Sequence, residues 1–101
     1  MDIQGLTNED LAEVQRILRQ YVPGCEVRAY GSRWRGDAWM HSDLDLAVIG
    51  PQKLGWTRIA ELSEAFQESN LYFRVDVHDY NALPEYIRKR IDAGYETLQA
   101  P

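Results

Sequence analysis

Apolar residues recur at two different periods along this 101-residue chain. The segment LTNEDLAEVQRILRQYVPG repeats at helical spacing. Leu11, Val14, Leu18 and Tyr21, with Ile17 beside them, form one stripe. Thr7 is placed to cap this helix, with Asp10 answering three residues on and Leu6 and Leu11 as a hydrophobic staple. Pro23-Gly24 ends it. GWTRIAELSEAFQESN carries a second stripe of Ile59, Leu62 and Phe66, and LPEYIRKRIDAG a third, from the i,i+4 pair Ile87 and Ile91. Between these lie segments of period two. EVRAYG alternates Val27 and Ala29 against Arg28 and Tyr30; LDLAVIG and LYFRVDVHDY read as further strands. YETLQ suits a short edge strand. The predicted order is α-β-(short α)-β-α-β-α, with the short helix in SRWRGD. It implies a mixed α/β (α+β) single domain spanning residues 1–101, with a small sheet and helices mainly on one face.

Two aspartates interrupt the second strand. Residues two apart on a strand share a face, so Asp43 and Asp45 are expected to project together while Leu44, Leu46 and Val48 anchor the other side. In RVDVHD, Val75 and Val77 face the core and Asp76 faces away with Arg74 and His78. If the two strands are neighbours, Asp43, Asp45 and Asp76 converge. Clustered carboxylates repel unless a cation joins them, and Mg²⁺ shares carboxylates with substrate phosphates. Two such ions can serve the attacking and leaving oxygens of a displacement. The alternative is structural: Asp43 capping a turn after Ser42, Asp45 at the surface, Asp76 paired with Arg74 or a lysine. Upstream, Gly31 and Ser32 form a turn that a phosphate can approach, and backbone N–H groups at a helix start attract that phosphate.

Composition narrows the partners. Lys and Arg total 11 against 16 Asp and Glu, a net charge of −5. That leaves no protein-wide basic surface for bulk nucleic acid. The local clusters Arg33 with Arg35, and Arg88, Lys89 and Arg90, suit a nucleotide instead. No apolar run matches a membrane span. The acidic start MDIQGLTNED is not followed by an apolar signal core, so a cytoplasmic location is expected. The single Cys25 excludes an internal disulfide framework and a multi-cysteine zinc site.

Taken together, GSRWRGDAWMHSDLDLAV resembles the Gly-Ser-x-x-x-Gly and Ser-Asp-hydrophobic-Asp-Leu motif of the DNA polymerase beta nucleotidyltransferase superfamily. Its short Gly-Ser-Arg-x-Arg-Gly form is similar to the minimal nucleotidyltransferases (MNT group), and Val75-Asp76-Val77 matches the strand of the third carboxylate. The resemblance implies catalytic metal ligands at Asp43, Asp45 and Asp76, with Asp76 on the attacking side. It implies nucleotide contacts at Gly31, Ser32, Arg33 and Arg35, although an arginine could equally pair with Asp37. It further implies two Mg²⁺ ions, with Mn²⁺ as a substitute, ATP as substrate, and a HEPN-domain partner in a toxin–antitoxin pair. On that basis the expected activity is transfer of AMP to a hydroxyl of the partner, either within a hetero-oligomer or from a homodimer. Rival expectations are an antitoxin that neutralises by binding alone, or transfer to a small molecule. Trp34, Trp39, Met40 and His41 depart from the family pattern, and for His41 and His78 both a base role and a solvent-facing role stay open.

Overall fold

The computed structural model describes residues 6–31 and 43–101. Ser32, Arg33 and Arg35, the short helix expected in SRWRGD, and Trp34, Trp39, Met40 and His41 lie outside the described residues.

Helix α1 runs Asn8–Tyr21 and starts at the expected capping box. The Asp10 N–H donates to the Thr7 hydroxyl at 3.0 Å, and the Thr7 N–H donates to the Asp10 carboxylate at 3.1 Å. Strands β1 (Glu26–Tyr30) and β2 (Leu44–Ile49) follow, then helix α2 (Trp56–Gln67), strand β3 (Val75–Asp79) and a 3-10 turn at Tyr80–Ala82. Helix α3 (Glu85–Asp92) and strand β4 (Glu96–Gln99) complete the described order. The four-stranded sheet has the order β3-β2-β1-β4, so β4 is an edge strand as its short sequence predicts. β1 pairs antiparallel with β2 and β4, whereas β2 and β3 run parallel. The parallel pair needs a crossover, and α2 supplies it.

The back of the sheet is apolar. Val27 and Ala29 from β1, Leu44, Leu46 and Val48 from β2, and Val75 and Val77 from β3 are buried there. They form one core with Val14, Ile17 and Leu18 of α1 and Leu62 and Phe66 of α2. Cys25 is buried in the same core as a free thiol. Alternation then assigns Arg28, Tyr30, Asp45, Ala47, Asp76 and His78 to the front.

The third helix lies against that front. The Arg28 guanidinium bridges Glu26 at 2.6 Å and Asp92, at the end of α3, at 2.7 Å. It also sits 4.1 Å from the centre of the Tyr95 ring, a cation–π contact. The Tyr80 hydroxyl donates to the same Asp92 carboxylate at 2.7 Å. Two helices therefore cover the back, and the third covers part of the front. Ala47 on the front of the sheet and Ile91 on the third helix are buried although neither belongs to the main core.

The start of α2 is held from a distance. Its cap residue Gly55 has φ +94°, and no side chain of its own first turn caps it. The Asp79 carboxylate at the end of β3 instead accepts from the N–H groups of Leu54 at 2.9 Å and Gly55 at 3.2 Å. An acidic group there satisfies otherwise unpaired helix-start donors and favours the positive end of the helix dipole. No helix among the described residues is long and apolar enough to cross a membrane.

Candidate active site

The parallel register sets Asp45 beside Asp76 and Leu46 beside Val77. The antiparallel register sets Tyr30 beside Asp45 on the other side. Three adjacent strands thus bring Tyr30, Asp45 and Asp76 into one row across the front, and His78 follows two residues beyond Asp76. The ligating atoms of Asp45, Asp76 and His78 all lie within 4.8 Å of one another, and all three residues are half-buried. Two carboxylates and an imidazole at that spacing form a donor set that can hold a divalent cation.

The convergence of Asp45 and Asp76 follows from β2 and β3 being neighbours. Asp43 lies immediately before β2, is exposed, and is not part of this group. The structural alternative for Asp76, a pair with Arg74, amounts to a 3.9 Å approach by a guanidinium that is 73% exposed. Such an exposed, solvent-screened pair contributes little. The closer partner of Asp76 is His78, whose Nε2 stands 3.2 Å from the second carboxylate oxygen.

Gly31, directly after β1, has φ +83°. A Cβ at this position would collide with the Asp45 carboxylate, whose Cγ would lie 3.2 Å away. Glycine is therefore needed twice here, for its left-handed backbone and for the space its missing side chain yields. The sequence suggests room for a ligand at Gly31; the structure adds that the same room admits Asp45.

Tyr30 and His78 were less readable as site residues. Their rings stand 6.3 Å apart at 52°, beside the carboxylates. Burial raises the Tyr30 phenol above its ordinary pKa, and the negative charges of Asp45 and Asp76 raise it further. The phenol, neutral at pH 7 even at its ordinary value of 10.0, keeps its proton to still higher pH. Both rings line a cavity of about 530 Å³ that reaches under α3, walled by Leu83, Ile87 and Ile91 with Arg90 beside them. The signal for this wall was the Ile87 and Ile91 pair, which shows a helix face needing cover without saying which face of the sheet provides it.

A family model, "Polymerase beta, Nucleotidyltransferase", matches residues 12–98. The chain belongs to the polymerase beta nucleotidyltransferase family. This nucleotidyltransferase is 43% identical over 94 residues to the "Probable protein adenylyltransferase MntA" of Haemophilus influenzae, covering 93% of the chain and 82% of that protein. Its fold is similar to a chain in the crystal structure of a toxin–antitoxin complex with AMP-PNP. There the TM-score is 0.77 and the identity 22%, over 91% of this chain and 74% of that one. It is likewise similar to a chain in the structure of a tri-AMPylated Shewanella oneidensis HEPN toxin in complex with MNT antitoxin. That match has a TM-score of 0.69 and 21% identity, over 90% of this chain and 70% of that one.

Proposed function

We propose that this nucleotidyltransferase moves AMP from ATP to a hydroxyl group on a HEPN-domain protein and acts as that protein's antitoxin. The observation that carries the reading is the meeting of Asp45 and Asp76 across the β2–β3 register, in a chain 43% identical to a probable protein adenylyltransferase. An AMPylated HEPN toxin beside an MNT antitoxin, in a structure of the same fold, supports the choice of partner and group transferred.

In this reading Asp45 and Asp76 hold divalent metal, and Asp43 joins them when nucleotide is bound. A divalent metal held there would supply neutralisation of the triphosphate charge and a more acidic attacking hydroxyl. Gly31 keeps the backbone clear of the reacting groups, and Ser32, Arg33 and Arg35 bind the phosphates, as the family motif implies. Asp76 lies on the side of the acceptor and draws its proton. The hydroxyl oxygen bonds to the α-phosphorus, the bond to the bridging oxygen breaks, and pyrophosphate leaves. The protonated Tyr30 adds no negative charge beside the two carboxylates. Rate comes chiefly from positioning and charge neutralisation.

The test is to incubate the purified chain with a HEPN-domain partner from its own cell and labelled Mg-ATP. The label is expected on the partner, as an AMP adduct by mass. A partner that remains unmodified while the chain still neutralises it would overturn the catalytic reading in favour of binding alone.

A further inference from the structure

We propose that His78 is itself a metal ligand, so that the ion held with Asp45 and Asp76 sits in a mixed nitrogen–oxygen donor set that favours Mn²⁺ over Mg²⁺. This deepens the metal-dependent transfer proposed above and rests on it. The family motif alone points to an all-carboxylate set of Asp43, Asp45 and Asp76. In the structure the group that comes together is Asp45, Asp76 and His78.

The spacing fits shared coordination. Two ligands about 2.1 Å from an octahedral ion stand about 3.0 Å apart when adjacent. The His78 Nε2 and the nearer Asp76 oxygen are 3.2 Å apart. The remaining donor atoms stay within 4.8 Å, so an ion can reach all three residues with small side-chain adjustments. The arrangement is built into the backbone: Asp45 and Asp76 are register partners, and His78 follows Asp76 by two on the same strand face. The Tyr30 ring lies beside the imidazole, 6.3 Å between ring centres. Carboxylate oxygen suits both Mg²⁺ and Mn²⁺, whereas an imidazole nitrogen suits transition metals.

A competing role for His78 is to donate a hydrogen bond to Asp76 and only position it. The two roles separate by spectroscopy. The intact chain is loaded with Mn²⁺ alone and examined by pulsed electron paramagnetic resonance. Nitrogen hyperfine coupling to the ion is expected in the wild type and absent in His78→Ala and His78→Gln. The His78→Gln variant retains a side-chain amide able to donate to Asp76, so restoration of Mn²⁺ affinity by glutamine would indicate positioning. Mn²⁺ affinity is expected to fall about tenfold or more in both variants, with a smaller change for Mg²⁺ measured by competition. Circular dichroism confirms that each variant folds, and the wild-type spectrum decides the question without either. Mn²⁺ bound without nitrogen coupling overturns the His78 assignment and leaves the transfer reading standing. Failure of Mn²⁺ to bind at all likewise overturns the His78 assignment, while the transfer reading stands or falls by AMP labelling of the partner.

Discussion

On the back of β2, Leu46 is fully buried among Val27, Val77 and the helix stripes; one residue earlier, on the front, Asp45 meets Asp76 and His78. The two side chains share a strand, and their neighbours come from the same flanking strands. The back gains by removing apolar surface from water, at roughly 25 cal/mol per Å². The front gathers negative charge that the fold tolerates because the residues stay half-exposed and because a cation can join them. The apolar back thus keeps in place a charged front that would not assemble unaided.

The largest expected effect breaks the back. Leu46→Ala should cost about 2–5 kcal/mol of stability by leaving a cavity in the core. That cost is measured by urea denaturation, and the fraction still folded should transfer AMP. A loss below about 1 kcal/mol would mean that the back is not the anchor.

Gly31→Ala tests where the two faces meet. The left-handed backbone alone should cost about 1–2 kcal/mol, and the collision with Asp45 should add to it. Combining it with Asp45→Gly should remove the added part, read as a double-mutant cycle. Strict additivity would deny the contact.

A smaller effect concerns pH. The Tyr30 phenol has its pKa raised in the folded protein, so the folded state holds its proton where the unfolded chain releases it. Its contribution to stability is complete below the ordinary phenol value of 10.0 and is lost as pH rises above it. Tyr30→Phe should flatten the alkaline decline in stability. An unchanged slope would remove Tyr30 from the row of charged neighbours.

Several of these features were readable beforehand because they are periodic. The alternation in LDLAVIG and RVDVHD separates Asp45 and Asp76 from Leu46 and Val77, and the capping signal at Thr7 marks the start of α1. Features that depend on tertiary placement were not readable. Nothing near α3 in the chain states that Arg28 draws it onto the front through Asp92, which closes the cavity beside Tyr30. The capping of α2 by Asp79 joins residues 24 and 25 positions apart, and no local pattern marks it. Asp43 is less legible than Asp45 for a local reason. The strand begins at Leu44, and strand periodicity does not govern the residue before it.

The most direct measurement is transfer of labelled AMP from Mg-ATP to the proposed HEPN-domain partner by wild type and by Asp45→Asn at matched folded concentration. Loss of this carboxylate should lower transfer about 100-fold or more, with the core on the back intact by circular dichroism. Undiminished transfer by Asp45→Asn would contradict the account, because the front of the sheet would then hold the carboxylates without using them.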